Sequence, residues 1–421
     1  MDKRLERILP RVQKPARYVG GEYNAVMKDL SQVDTRVAFC FPDTYEIGMS
    51  NLGMRILYGI MNNMEGVWCE RVFAPWGDME EEMRRAGLPL YALESGDPIR
   101  DFDIIAFSVG YEMAFPAMLN MLDLAGVPLH ASERTELTPL VIAGGTAMFN
   151  CEPIADFIDI AEIGEGEEMN AELIELHRRA RREGWTKQQF LRAAAQLDGI
   201  YVPGLYEVDY NADGTVKSIT PKDGAPKVVT KRIMRDMDKA WYPAKTIVPS
   251  TEIVQDRTTL ELFRGCIRGC RFCQAGYVYR PVRNRSEKLL RDYAIEAVED
   301  SGYQDMTLSS LSTSDYPHLV ELCDDLEDFC AAHQVDIGVI TCPKDLVKPI
   351  AERLAACRVR GLWNYMGVEL GYAPGGMVVE NVHLGDSLMI LNYEIASRME
   401  HRAPREIAAE GDGAADAAES P

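Results

Sequence analysis

From Thr35 onward the chain alternates short apolar runs with stretches in which apolar residues recur at helical spacing. Arg36-Val37-Ala38-Phe39-Cys40-Phe41 reads as a buried strand, Asn51 to Met64 as a helix and Asp103 to Ser108 as a second strand. A helix from Ala114 to Ala125, a strand from Pro139 to Gly145 and another from Ile158 to Gly164 continue the series. Strands alternating with helices in this way build βαβ units. Residues 1–200, basic and amphipathic over the first 30, are therefore expected to form an open α/β domain around a parallel, Rossmann-like sheet. Alternating residues on either side of Asn211-Ala212-Asp213-Gly214 predict a β-hairpin, which with the Pro-, Lys- and Asp-rich connector behind it makes up residues 201–255. A second α/β region follows, with strands expected at Thr259 to Phe263, Met306 to Leu311, Val335 to Thr341, Arg360 to Asn364 and Val378 to His383. Asp386 to Glu400 reads as a terminal helix and residues 401–421, without apolar period, as a disordered, solvated tail.

Composition narrows the function. Among 421 residues, 45 Lys and Arg face 66 Asp and Glu, a formal charge of −21, which speaks against tracking nucleic-acid phosphates through bulk positive charge. No apolar run reaches the roughly 18 residues of a membrane span, and the charged N-terminus has no leader pattern, so a cytoplasmic protein with reduced thiols is expected. Clustered cysteines then read as metal ligands before disulfides. Of the ten cysteines, Cys40, Cys69, Cys151, Cys323, Cys330, Cys342 and Cys357 lie scattered in apolar contexts and read as buried thiols.

The other three, Cys266, Cys270 and Cys273, fall within eight residues of one another in Leu260-Glu261-Leu262-Phe263-Arg264-Gly265-Cys266-Ile267-Arg268-Gly269-Cys270-Arg271-Phe272-Cys273. A buried strand runs here into a loop that Gly265 and Gly269 loosen. Three thiolates from one loop can converge on three corners of an iron–sulfur cube, leaving one iron open to bind and act on a substrate. Structural zinc needs a fourth ligand, and neither a second Cys pair nor a His within 40 residues of Cys273 supplies one. Arg264, Arg268 and Arg271 place positive charge beside a group that carries net negative charge.

Cys-x₃-Cys-x₂-Cys with Phe272 just before the last Cys resembles the signature of radical S-adenosylmethionine (SAM) enzymes. The resemblance implies that Cys266, Cys270 and Cys273 hold a 4Fe–4S cluster and that SAM chelates its open iron. It also implies that Phe272 lies near the adenine and that a low-potential electron donor is a partner. Thr259 to about His333, with Gln274-Ala275-Gly276-Tyr277 and Arg280 to Ser286, is similar to a subfamily of undefined substrate that carries a cobalamin-binding-like domain in front. In that setting the arginines, Arg283 among them, contact the SAM carboxylate or a substrate phosphate, or else only start a solvated helix. Ser309 to Asp315, including Ser312 and Asp315, either meets the SAM amino group or caps a helix. The family's cobalamin motif is Asp-x-His-x-x-Gly, whereas this chain has Asp43-Thr44-Tyr45-Glu46-Ile47-Gly48, and Tyr45 cannot replace imidazole on cobalt. Gly144-Gly145 matches the place where the cobalamin tail passes the backbone, or forms only a tight turn. Glu165 to Glu168 either binds a ligand or starts a helix.

The barrel resemblance gives a partial radical SAM core at residues 256–334. From Val335 to about Arg398 the chain resembles instead the second half of the NAD(H)-binding domain of the redox-sensing repressor Rex, through Cys342-Pro343-Lys344, Gly361-Leu362-Trp363-Asn364 and Val379 to Leu384. Rex's Gly-x-Gly-x-x-Gly loop does not precede this segment. The expected function is SAM-dependent radical chemistry on an unknown substrate. The alternatives are an NAD(H)- or redox-responsive binding protein and an inactive fusion of the two parts. Pairing with a second copy through the terminal helix is a further expectation of the Rex resemblance.

Overall fold

The computed structural model describes residues 2–303, 305–319, 321–322, 337–340, 347–356, 359–364, 370 and 376–381. The chain divides into two compact units, Met1–His333 and Gln334–Pro421. Cys323, Cys330, Cys342, Cys357, the Cys342-Pro343-Lys344 and Val382-His383-Leu384 motifs, the helix expected at Asp386 to Glu400 and the tail all lie outside the described residues.

The first unit opens on α1 (Lys3–Ile8), capped by the Asp2 carboxylate. Its sheet begins with β1 (Thr35–Phe41), whose apolar run is buried on both faces as a central parallel strand requires. After it come α2 (Tyr45–Met49), α3 (Leu52–Asn62), β2 (Val67–Phe73) and α4 (Gly77–Ala86). β3 (Ile104–Ser108), α5 (Phe115–Ala125), β4 (Leu140–Gly144) and β5 (Ile160–Glu162) follow, and then α6 (Gly166–Glu183), α7 (Lys187–Ala194) and β6 (Ile200–Tyr201). The strand order is β2-β1-β3-β4-β5-β6, parallel except for the antiparallel edge strand β6. Side chains alternate between two cores. Ala38, Ile105 and Val141 pack with Met79 of α4 and Met118 of α5, while Phe39, Ile104 and Ile142 pack with Met61 of α3 and Leu173 of α6.

β2 is an element that the apolar pattern did not single out, because Glu70 and Arg71 interrupt it. Every one of its residues is nevertheless buried. Arg71 meets Glu22 at 2.8 Å and Glu94 at 2.7 Å, and Glu70 meets Arg36 at 2.6 Å, so the charges that mark the segment as a surface are paired inside.

β7 (Tyr206–Tyr210) and β8 (Val216–Pro221) form the hairpin. The strand expected over Thr259 to Phe263 is split into β9 (Thr258–Glu261) and β10 (Phe263–Arg264). At Leu262 the backbone N–H donates to Ser309 while the carbonyl accepts from Arg285, so the chain changes partner there. α8 (Ala275–Val278), β11 (Arg283–Asn284), α9 (Glu287–Ser301) and β12 (Met306–Ser309) complete the region, with β12 parallel to β9 and β11 antiparallel to β10. Leu260, Phe263, Leu290, Ala294 and Tyr316 form its core.

In the second unit, β13 (Ile337–Ile340), α10 (Val347–Ala356), β14 (Gly361–Asn364) and β15 (Val378–Asn381) give a parallel three-stranded sheet in sequence order. Among the described residues no helix is long and apolar enough to cross a membrane.

Candidate functional site: a cavity shared by two sheets

In an open parallel sheet, ligands bind in the crevice outside the carboxyl ends of the strands, beside the point where the strand order reverses. Here that point lies between β1 and β3. A cavity of about 460 Å³ opens over it, lined by Ser108 at the end of β3 and Gly110 after it, Gly144 and Gly145 at the end of β4, and Glu162 at the end of β5. The opposite wall is built from Glu261, Phe263 and Arg264 of β9 and β10, from Gly265 just after them, and from Ser309, Ser310 and Leu311 at the end of β12. Two parallel sheets therefore turn their carboxyl ends to one space, and the cysteine loop leaves from its wall.

Gly265 fixes how the loop leaves. Its φ is +92°, and a Cβ there would stand 2.6 Å from the Pro281 carbonyl oxygen and 2.7 Å from that of Tyr279. Cys270 is exposed and Cys266 and Cys273 are half-buried free thiols, whereas Cys40, Cys69 and Cys151 are buried, as read from the sequence. Among the described residues no three His, Cys, Asp or Glu side chains stand where they could share one metal ion. A cube offers each thiolate its own iron, so a single shared point is not what it asks of the loop. The donor set therefore fits a cuboidal cluster: three free, reachable thiols on a glycine-hinged loop at a cavity wall, with Arg268 N–H donating to the Cys266 sulfur at 3.5 Å.

Arg268 also donates to both carboxylate oxygens of Asp315, at 2.8 Å through Nε, which ties the loop to the turn after β12. Desolvation works against the Asp315 charge, but hydrogen bonds from Ser312 and Arg268 and the Arg268 charge together offset it and hold the carboxyl below its usual range. Ser312 precedes the short turn Thr313–Asp315. Phe272 is 94% exposed. Arg283 is placed otherwise than a SAM or phosphate contact requires: it is buried, donates to Glu165 at 2.7 and 2.8 Å and to the Met234 carbonyl at 2.7 Å, and so has its charge already met.

Glu165 to Glu168 are likewise taken up by arginines. Arg264 meets Glu167 at 2.5 Å and Glu261 at 2.7 Å, Arg285 meets Glu261 at 3.0 Å, and Arg232 meets Glu168 at 2.8 Å. The acids that start α6 thus clamp the first α/β domain to the strand before the cysteines. Burial of Arg264 opposes its charge, and Glu167 and Glu261 more than offset that.

Tyr45 is 1% exposed and donates its hydroxyl to Glu22 at 2.9 Å, inside the core rather than at the cavity. It neither reaches nor chemically suits a cobalt ion. Gly145, at φ +105°, would bring a Cβ to 2.4 Å from the Val109 carbonyl oxygen, so the tight turn by itself requires glycine. The residues of the family's cobalamin motif therefore do not fit that cofactor here. Glu162, by contrast, had no part in the motif reading and stands in the cavity wall. Its signal in the sequence is a carboxylate closing the short apolar strand Ile160-Ala161-Glu162, just before Gly164 and Gly166.

Comparison with known proteins agrees with the loop. Residues 53–203 match the family model of radical SAM proteins, N-terminal, and residues 260–367 that of the radical SAM superfamily, the second running into the segment expected to be Rex-like. An uncharacterized protein of Methanocaldococcus jannaschii is 25% identical over 295 residues, 69% of this chain and 52% of that protein, so the chain spans about half the length of this relative. The redox-sensing transcriptional repressor Rex of Caldicellulosiruptor bescii is 39% identical over 80 residues, 19% of this chain and 36% of the repressor. The solved radical S-adenosylmethionine methyltransferase TsrM of Kitasatospora setae, with cobalamin and a [4Fe-4S] cluster bound, aligns with a TM-score of 0.48 at 14% identity, covering 78% of this chain and 60% of that one. Over residues 53–203 and 260–367 the chain thus resembles the radical SAM proteins, and toward its C-terminal end it also resembles Rex.

Proposed function

We propose that this chain is a radical SAM iron–sulfur protein whose Cys266, Cys270 and Cys273 hold a 4Fe–4S cluster and whose inter-sheet cavity receives SAM and an unidentified substrate. One observation carries the reading: the three-thiol loop starts at Gly265, in the wall of the cavity on which both parallel sheets end. When bound, such a cluster supplies an open iron for SAM and the electron that cleaves it reductively, starting radical chemistry. The protein's own part is positional. Gly265 lets the loop leave the cavity wall past the Tyr279 and Pro281 carbonyls, the Arg268–Asp315 pair fixes it against the turn after β12, and Arg264, held by Glu167 and Glu261, fixes the strand in front. On this reading Phe272 lies beside the adenine and Ser312 beside the SAM amino group, while Asp315 and Arg283 act through the pairs they already make. Residues 256–334 form the cluster-binding core behind an α/β domain at 1–200.

Anaerobic reconstitution with iron and sulfide is expected to give about four irons per chain, and dithionite with SAM to release 5′-deoxyadenosine. A variant with Cys266, Cys270 and Cys273 all changed to Ala that still takes up the cluster would overturn the proposal. A second reading, a redox-responsive NAD(H)-binding protein working through residues 335–398, is favoured by the Rex similarity and the parallel β13-β14-β15 sheet. Calorimetric titration with NADH decides it, since absence of binding at millimolar NADH eliminates it.

A further inference from the structure

The charges around the cavity nearly all have partners. Glu165, Glu167 and Glu261 face Arg264, Arg283 and Arg285, three acids against three bases, within 2.5 to 3.0 Å. Among the described residues, Glu162 alone of the acids lining the cavity has no cationic partner. It is only 5% exposed, its Oε1 makes no hydrogen bond, and Oε2 lies where a Cβ on Gly144 would come within 3.2 Å. Glycine at 144 therefore leaves the space in front of this carboxyl open. A buried polar atom without a partner is destabilising, and more so if charged, so its retention at a cavity wall calls for a ligand.

The rest of the lining says what such a ligand looks like. Phe39, Phe263, Ile56 and Leu57 give apolar and aromatic walls. With the ion pairs cancelling, an ionised Glu162 is the one uncompensated charge among the described residues lining the cavity, and an arriving cation would find both its counter-ion and aromatic faces.

We propose that Glu162 anchors the cationic nitrogen of an amphipathic amine, an ammonium on an apolar or aromatic body, in the inter-sheet cavity. This names a substrate class for the proposed enzyme, but it does not depend on the cluster and is tested on protein without iron. Burial pushes the Glu162 carboxyl up to about 8, opposed only in part by the Asn170 amide. The other titratable groups lining the cavity are Glu165, Glu167, Glu261, Arg264 and Tyr279, and all but Tyr279 are in ion pairs. An ammonium that binds near neutral pH therefore displaces close to one proton from Glu162.

The probe is 2-phenylethylammonium, with 2-phenylethanol and phenylacetate as neutral and anionic counterparts, titrated calorimetrically at pH 7 in two buffers of different ionisation enthalpy. The expected result is that the ammonium binds at least tenfold more tightly than either counterpart, releases nearly one proton, and loses that advantage in Glu162→Gln while 2-phenylethanol binding is unchanged. Equal binding of the three probes, binding without proton release, or an unaltered ammonium affinity in the folded Glu162→Gln protein overturns the proposal. Failure of SAM cleavage in the reconstituted protein, with the amine still bound, would instead count against the radical reading alone.

Discussion

His177 is buried with neither ring nitrogen hydrogen-bonded and packs edge-on against Phe190, and burial, helped by Arg181, holds it down to about 4. The unfolded chain binds a proton at this position as pH falls below about 6.5, while the folded one does not until near 4, so stability falls across that window. Between pH 7 and pH 5 this one side chain should cost on the order of 2 kcal/mol. Urea unfolding at the two pH values is expected to show a smaller difference in His177→Phe than in the parent, and equal differences would refute the assignment. Glu162 acts in the opposite direction. Its carboxyl stays protonated in the folded protein while the unfolded chain ionises above about 4.5, so stability falls as pH rises toward 8. Glu162→Gln should therefore be more stable than the parent at pH 7, by about 3 kcal/mol, and a destabilised variant there would show that the carboxyl is satisfied after all. Both are buried polar groups, and the sequence shows their type but not whether anything answers them.

Elements whose signal is local were legible. β1, β3 and β4 are short apolar runs, and the cysteine loop is three thiols and two glycines in nine residues, Gly265 to Cys273. β2 was not, because the partners that let Glu70 and Arg71 enter the core, Arg36, Glu22 and Glu94, come from three other segments. The strand is expected to depend on them: Glu94→Ala leaves Arg71 with half its compensation and should lower unfolding free energy by about 3–5 kcal/mol, read from denaturant titration. A loss below about 1 kcal/mol would mean the pair is not buried in solution. At the cysteine loop, Gly265→Ala is expected to reduce iron uptake strongly without changing far-UV circular dichroism, since its Cβ would strike two carbonyls. Gly276→Ala, in α8 with open space around it, should take up iron normally. Iron retained by both variants would show that the loop does not need its present path.

At the scale of the molecule, a charge of −21 sets the long-range field. Similarity to a transcriptional repressor over 80 residues does not alter that field, so fluorescence anisotropy with a duplex of about 30 base pairs should show no saturable binding at about 150 mM salt. Binding in the low micromolar range would reveal a local basic patch strong enough to overcome it. Hydrophobic period, turn residues and thiol spacing are properties of neighbours in the chain, so the α/β class, the hairpin and the three-cysteine loop could be read from sequence alone. Which charges become partners, and which carboxyl is left without one, depends on residues more than a hundred positions apart meeting at the ends of two sheets, as Glu165 meets Arg283. Folding alone made the cavity, committed Arg283 to an ion pair, withdrew Tyr45 into the core and set Glu162 in the cavity wall. Electrostatic satisfaction is decided by distance in space, and sequence order does not record it.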